Sequence, residues 1–335
     1  MKISLKNLIH EKFLQYNKKI ALQYQEDKIT YNDLLKNSKQ LSISLLNKDY
    51  SKIAISIENK IDLMLIVLAC IFAEIPFIII DKNSPKSFLQ DILSEAKISM
   101  IVTDDKIDIE NVEYIKLSEL LNSSSYLKNS ECNSIKNQEA VAFYIATSGS
   151  TGKPKIAKRF LLAFLQDFLA LEKKLPFLFN EIALQYAKLN FAYGFENTLL
   201  LLIGGTTICF GAKNTGIKNI QEMYLEIEKY NASIVFWASP IVKLLSKHHR
   251  LCDNMPSSIK YVYTGGEPLV ISADLIVEFH NRNITLVNDY GCSEIGKMFN
   301  CSFNIKLRDL QAFNVVGVGK PLKGYEAIVL DEELN

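Results

Sequence analysis

Apolar and polar positions along the chain switch repeatedly between a helical and a strand period. Lys6 to Tyr16 is amphipathic at helical spacing, Ala21 to Tyr24 alternates, and Lys28 to Tyr31 reads as a short strand. Asn32 then stands in a capping position ahead of a helix opening at Asp33-Leu34-Leu35. Further strands are predicted at Lys52–Ile57, Phe77–Ile80, Ser99–Thr103, Val141–Tyr144 and Thr206–Phe210. The same signal recurs at Ser233–Phe236, Tyr261–Tyr263, Ile284–Val287 and Ala327–Leu330. Helical stretches fall near Ile61–Ala73, Phe160–Lys174, Ile220–Tyr230 and Ile241–His249. Strands separated by helices of this length predict an α/β fold of mostly parallel, helix-flanked sheets.

Two stretches bear on organisation. Ile61 to Ile80 is apolar enough to suggest a membrane span, but Asp62, Glu74 and Pro76 interrupt it. A buried helix, a turn and a buried strand are the better fit, so no membrane span is expected. Glu119 to Glu139 is polar and rich in Ser and Asn, which predicts a surface connection between two parts of one domain. The partition expected is a first α/β part over residues 1–120, the connection over 121–139, and a second α/β part over 140–310. A smaller β-rich part begins at 311–335.

Composition narrows the classes. The 335 residues are 48% hydrophobic and 22% charged, with 38 basic against 37 acidic side chains and a net charge of +1. That balance, with four arginines, excludes a surface built for phosphate backbones, and no nucleic-acid partner is expected. Six scattered cysteines without a C-x-x-C pair or a leading secretion signal predict reduced thiols and a cytoplasmic protein. The four histidines show no metal-ligand spacing.

The densest chemistry lies in Tyr144-Ile145-Ala146-Thr147-Ser148-Gly149-Ser150-Thr151-Gly152-Lys153-Pro154-Lys155. Hydroxyls and backbone N–H groups exposed by glycine can wrap polyphosphate oxygens, and lysines offset their charge. The spacing is not that of a Walker A loop: only Ser150 and Thr151 separate the glycines, and Pro154 follows Lys153.

This segment resembles the phosphate-binding signature of the adenylate-forming superfamily. That superfamily includes acyl- and aryl-CoA synthetases, adenylation domains of peptide synthetases, and luciferases. The resemblance extends along the chain. Ile29-Thr30-Tyr31-Asn32-Asp33-Leu34 is similar to an early "LTYxEL" element, and Leu68–Ala73 through Ile80-Asp81 to the helix and strand that end in "P-[IL]-D". Tyr263-Thr264-Gly265-Gly266-Glu267-Pro268-Leu269 resembles the "GGE" turn beside adenine, and Asn288-Asp289-Tyr290-Gly291-Cys292-Ser293-Glu294 the "YGxTE" element. Gly319-Lys320-Pro321 with Gly324-Tyr325-Glu326 resembles "GxPxxGxE".

The resemblance implies ATP and Mg²⁺ as cofactors, and attack of a small carboxylic acid on the α-phosphorus to give an acyl adenylate and pyrophosphate. Thr147, Lys155 and Glu294 are its implied catalytic residues, with Glu294 offering a carboxylate oxygen to the Mg²⁺ that ATP brings. Thr147 to Lys153, Gly265, Gly266, Glu267, Asn288, Asp289, Tyr290, Gly291 and Ser293 are its implied nucleotide-binding residues. Tyr290 offers a flat face for adenine, Ser293 a hydroxyl for the α-phosphate, and the paired glycines close backbone approach. Phe191, Ala192, Tyr193, Gly194, Trp237, Ser239 and Gly265 are the implied walls of the acid pocket, with Trp237 as core packing left open.

Ala187–Gly194 is similar to the "AKLFFAYG" stretch of benzoate-type ligases, whereas peptide-synthetase adenylation domains often carry Phe-Asp there. With Ala192 in place of that aspartate, a substrate ammonium lacks its usual partner, which favours an uncharged or aromatic acid. Coenzyme A, or the phosphopantetheine of an acyl carrier protein, is the implied thiol acceptor. The pattern departs at Ile156, where glycine is usual. After Asn335 there is no ribose-binding aspartate, hinge or lysine-bearing small domain, so the expectation is a large N-terminal domain only. The alternatives are an amino-acid-adenylating domain that loads a carrier protein, and a truncated, non-catalytic nucleotide-binding protein.

Overall fold

The structure, a computed structural model, describes residues 4–48, 50–107, 109–123, 140–148, 153–211, 220–303, 317–328 and 330–331. The first half runs α1 (Leu5–Gln15), β1 (Ile20–Tyr24), β2 (Asp27–Thr30), α2 (Tyr31–Leu46), β3 (Ile53–Ser56) and α3 (Lys60–Ala73). It continues with β4 (Phe77–Ile79), α4 (Lys86–Glu95), β5 (Met100–Thr103), β6 (Glu113–Lys116), α5 (Leu117–Ser123), β7 (Val141–Ser148) and β8 (Pro154–Phe160). Then follow α6 (Leu161–Lys174), β9 (Ile182–Gln185), α7 (Ala192–Ile203), β10 (Thr207–Phe210), α8 (Ile220–Tyr230) and β11 (Ile234–Phe236). The last elements are α9 (Ser239–Lys247), β12 (Tyr261–Gly265), α10 (Ala273–Asn281), β13 (Thr285–Cys292), β14 (Gly296–Phe303) and β15 (Lys320–Pro321).

Two sheets organise them. One has nine strands in the order β15-β14-β13-β12-β11-β9-β10-β1-β2, the other six in the order β6-β5-β3-β4-β7-β8. Pairing is parallel except at β1/β2, β7/β8, β13/β14 and β14/β15. The expected α/β class with mostly parallel sheets is what the structure shows. The sheets do not divide at residues 121–139, however. β1 and β2 join the nine-stranded sheet and β7 and β8 the six-stranded one, while β15 extends the larger sheet rather than opening a separate β-rich unit.

The apolar run from Ile61 folds as predicted into α3, a helix buried on nearly all sides. Asn59 caps it, its Oδ1 accepting from the N–H groups of Ile61 and Asp62. α3 packs against α2, β1 and β3, so it touches both sheets, which is why its whole circumference is apolar. At 14 residues it spans about 21 Å, short of a bilayer core. No described helix is long and apolar enough to cross a membrane.

Two local expectations are corrected. The cap of α2 is Thr30, not Asn32: Thr30 Oγ1 accepts from Asp33 N–H at 3.1 Å and donates to the Asp33 carboxylate. Tyr31 thereby opens the helix, where its buried hydroxyl reaches Leu202 O and Thr206 O at 2.8 and 2.9 Å. The alternating residues at 327, 328 and 330 form no strand, and Ile328 is largely exposed. Alternation makes a strand only where a neighbour supplies hydrogen bonds, and none of the described pairings reaches them.

Candidate active site

Parallel strands leave a crevice at their carboxyl ends, where ligands commonly bind. Here β12 and β13 end side by side, with Thr264 opposite Asn288 and Gly265 opposite Asp289. Two of the sequence motifs, the Gly-Gly-Glu turn and the Asn-Asp-Tyr-Gly strand, are thus neighbours in register. A Cβ on Gly265 would drive into the carbonyl of Asp289 and approach the Tyr193 ring at 3.3 Å. Gly266 sits at φ +84°, in the region that favours glycine. Buried Ser239, at the start of α9, donates to Glu267 O at 3.1 Å and ties the turn to the helix behind it.

Below the turn lies a cavity of ≈ 230 Å³. α7 presents Ala192, Tyr193, Glu196 and Asn197 to it, spaced as one helical face. Phe191 adds to that side, and Gly266, Asp289, Gly291, Cys292, Ser293, Gly296 and Lys297 close the others. Tyr193 is fixed by its hydroxyl, which donates to Tyr263 O at 3.0 Å. Tyr290 is half exposed at 47%, and Glu294 is exposed.

Other residues singled out in the sequence stand elsewhere. Trp237 is fully buried in the core beside Tyr224 and does not line the cavity. Gly194 lets the carbonyl of Lys188 pack on the start of α7, and Asn288 Nδ2 donates to Gly317 O at 3.2 Å. Thr147 and Lys155 face each other near the end of the β7–β8 hairpin, with Thr147 Oγ1 3.4 Å from Lys155 O. Lys153 and Lys155 are exposed, and Ile156 is half-buried within β8. Ser148 pairs with Pro154 at the last described register position, and Gly149, Ser150, Thr151 and Gly152 lie outside the described residues.

A buried charge network under the cavity was not foreseen. Lys297 Nζ donates to Asp289 Oδ2 at 2.5 Å, to the Tyr263 hydroxyl at 3.0 Å and to Asn197 Oδ1. Beside it, Arg159 reaches Glu196 Oε1 at 2.9 Å, Asp167 Oδ2 at 2.6 Å and Ile295 O at 2.5 Å. Tyr325 donates to Asp167 Oδ1. Burial raises the Glu196 carboxyl to about 7, against the opposing pull of Arg159. Burial also raises Asp167, opposed by the Tyr325 hydrogen bond and by Arg159. One signal was available in the sequence: Glu196-Asn197 breaks an otherwise apolar helix, one turn beyond Ala192 and Tyr193.

The rim can take a planar ring against Tyr290 and an anion at the Ser293 hydroxyl. Among the described residues no group of three His, Cys, Asp or Glu side chains can hold a metal. Mg²⁺ usually keeps several waters and takes one or two carboxylates plus substrate phosphates, so the exposed Glu294 fits such an ion and not an all-protein site.

The sequence profile of the AMP-binding enzymes matches residues 9–335. Gramicidin S synthase 2 of Brevibacillus brevis is 23% identical over 336 residues, covering 97% of this chain and 7% of that protein. Among solved structures, the Klebsiella oxytoca NpsA N-terminal subdomain in complex with 3-hydroxybenzoyl-AMSN superposes with a TM-score of 0.84. The two are 20% identical, over 99% of this chain and 83% of that one. NpsA-ThdA, an artificially fused adenylation–PCP di-domain from the same organism, gives 0.83 at 20% identity over 99% and 66%. The likeness to these structures carries the fold, and the profile match over nearly the whole chain carries the family: this chain belongs to the AMP-binding enzymes.

Proposed function

We propose that this chain is the large domain of an ATP-dependent carboxylate–AMP ligase. One observation carries the reading: the Gly265–Glu267 turn and the Asp289–Cys292 end of β13 begin in adjacent register, Gly265 opposite Asp289, beside a cavity of small-acid size. A void of about 150 Å³ already holds benzene, so ≈ 230 Å³ suits a single ring or a comparable side chain. An acid seated there would turn its carboxylate to the rim, where an oxygen attacks the α-phosphorus. The α–β phosphoanhydride bond breaks and pyrophosphate leaves.

The protein's work in this scheme is positioning and charge stabilisation. Tyr290 stacks on adenine, while Gly265 and Gly266 admit the ring edge-on. Ser293 and Thr147 donate to phosphate oxygens, and Lys155 offsets their charge. Glu294 would hold Mg²⁺, which supplies countercharge for the departing pyrophosphate. Transfer of the acyl group to a thiol follows. The peptide-synthetase relative and the adenylation–PCP fusion support a carrier-protein phosphopantetheine as acceptor, with coenzyme A as the other candidate. A cytoplasmic setting, where thiols stay reduced, accords with Cys70, Cys209 and Cys252 being buried free thiols.

Acid-dependent exchange of labelled pyrophosphate into ATP, measured on the protein that carries this chain, tests the reading. Exchange that rises with one acid and vanishes in Glu294→Gln is expected. No exchange with any acid, with AMP still bound, would leave the non-catalytic nucleotide-binding alternative.

A further inference from the structure

Two reversals of strand order meet at one cavity. In the six-stranded sheet β4 and β5 flank β3, and in the nine-stranded sheet β10 and β11 flank β9. The chain therefore leaves β3 and β4 toward opposite faces. Ile53 and Ile55 share a core with α3, whereas Ala54 and Ile78 share one with Leu89 and Ile92 of α4. β9 and β10 behave alike: Ala183 and Ile208 join the core that holds α7, and Leu184 and Cys209 the core of Met223 and Ile227 on α8. In open α/β sheets, ligands bind outside the carboxyl ends of strands whose connections diverge in this way. Both divergences open onto a cavity of ≈ 310 Å³. It is larger than the acid cavity, and no described residue lines both. Its volume falls in the range of small-molecule pockets.

Part of the lining is apolar. Tyr24 and Phe210 meet edge to face at 6.5 Å, and Leu63 and Ile79 add to the wall. Tyr186 is fixed in place: its hydroxyl donates to Glu226 Oε2 at 2.8 Å, and a Cβ on Gly211 would strike its ring. The charged part of the lining is three lysines and two carboxylates. Lys82 is taken by Glu58 at 3.1 Å and by Asp105, and Lys188 by Asp81 at 3.2 Å. Lys60, half-buried at the first position of α3, makes no hydrogen bond or ion pair with its side chain. Burial disfavours its charge, while Asp81 and Lys188 act on it in opposite senses. Ser56, also in the lining, is only 4% exposed, and its hydroxyl has no hydrogen-bond partner among the described residues. A buried hydroxyl and a half-buried ammonium without partners are donors that a ligand can meet.

We propose that this cavity is a second ligand site, separate from the acid cavity, that takes a small organic anion. Its single carboxylate or phosphate head is held by Lys60, with the Ser56 hydroxyl as second donor, and its ring or short chain lies against Tyr24, Tyr186 and Phe210. An ammonium only donates, so the partner that Lys60 lacks is an acceptor, and a charged one gives the stronger bond. Carboxylate and phosphate heads share that chemistry, and the test separates them. The site goes beyond the ligase reading and stands independently of it.

Calorimetry on the full chain measures benzoate, phenyl phosphate and neutral benzamide. The parent is compared with Lys60→Met, Lys60→Arg and Ser56→Ala, and thermal melting confirms that each is folded. At least one of the two anions should show a binding event that weakens about tenfold or more in K60M, the scale of one lost charge-assisted hydrogen bond. K60R, which keeps the charge, should retain most of that affinity, and S56A should lose a smaller part of it. Benzamide should bind there at least about tenfold more weakly than the anion. Tighter benzoate assigns a carboxylate ligand, and tighter phenyl phosphate a phosphate monoester. Gly265→Ala, at the acid cavity, should leave the event unchanged, and K60M should leave AMP binding unchanged.

Failure of both anions to bind overturns the proposal. So does an event undiminished in K60M, or benzamide binding as tightly as the anion. An anion whose binding is lost in Gly265→Ala but kept in K60M sits in the acid cavity, which also overturns it. Loss of AMP affinity in K60M would place Lys60 in the nucleotide site and overturn it equally. None of these outcomes touches acid-dependent pyrophosphate exchange, on which the ligase reading is judged.

Discussion

Arg159 and Glu196 meet at 2.9 Å with both side chains almost fully buried, and in doing so they clamp the two sheets together. Arg159 is the penultimate residue of β8 in the six-stranded sheet, and Glu196 lies on α7, whose neighbour β10 belongs to the nine-stranded sheet. The same guanidinium holds Asp167 on α6 and the carbonyl of Ile295 in the β13–β14 turn. One planar cation thus joins four segments around the cavity. Removing it strands two buried carboxylates, so Arg159→Met should cost about 3–5 kcal/mol of stability. Arg159→Lys should recover little of this, because an ammonium cannot reproduce the fork geometry. Urea unfolding midpoints at constant slope provide the measurement, and a loss below about 1 kcal/mol would refute the clamp.

Gly265 and Gly266 are expected to fail differently when changed to alanine. At Gly266 the surroundings are open but φ is +84°, so Gly266→Ala should cost about 1–2 kcal/mol in backbone strain alone. At Gly265 the new methyl strikes the backbone of Asp289, the strand that lines the cavity. Gly265→Ala should therefore weaken AMP or acid binding by at least about tenfold, the scale of one lost polar contact. Parallel melting curves and titrations distinguish the two. A Gly265→Ala protein with unchanged binding would show that this turn is not part of the site.

Much of this architecture was legible beforehand because it rests on local patterns. The strands at residues 53–56, 100–103, 207–210 and 234–236 are short apolar runs, and the wholly apolar α3 could only be a buried helix. The Gly-Gly-Glu turn and the Tyr-Gly strand stand out as motifs because their residues are contiguous. What was not legible depends on contacts across long separations. Arg159 contacts Ile295, and Lys297 contacts Asn197, through folding alone. Trp237 adjoins a strand end, which leaves pocket wall and core packing both open from sequence; its ring turns into the core under α8.

Stability should fall with rising pH through the range set by Glu196. Its ordinary carboxyl value is 4.5, and burial raises it to about 7 in the folded protein, with Arg159 and Lys297 opposing and Asp167 reinforcing the shift. Below about 4.5 both folded and unfolded chains hold the proton, and the group adds no slope. Between about 4.5 and 7 the unfolded chain has released it while the folded chain keeps it, so each rise in pH favours unfolding. Above about 7 both have released it and the slope vanishes. Glu196→Gln, which keeps an oxygen for Arg159, should flatten the decline between about pH 5 and 7. Asp167, also raised by burial, contributes in the same direction and should leave a residual slope. Unfolding free energies across this range decide the matter, and an unchanged profile in the variant would exclude Glu196 as the titrating group.

Tyr290 should matter for binding and hardly at all for folding. It is 47% exposed at the rim, just past the buried stretch of β13, so truncation removes little core packing. Stacking of a base on an aromatic ring is worth about 1–3 kcal/mol, equivalent to roughly a 5- to 150-fold change in affinity. Tyr290→Ala should lose that much AMP affinity in a calorimetric titration while its melting temperature stays close to that of the parent. Tyr290→Phe keeps the ring face and should bind AMP nearly as the parent does. If the alanine variant gives the same heat and affinity as the parent, adenine lies elsewhere. If the phenylalanine variant is as weak as the alanine one, the phenol hydroxyl, not the ring face, makes the contact.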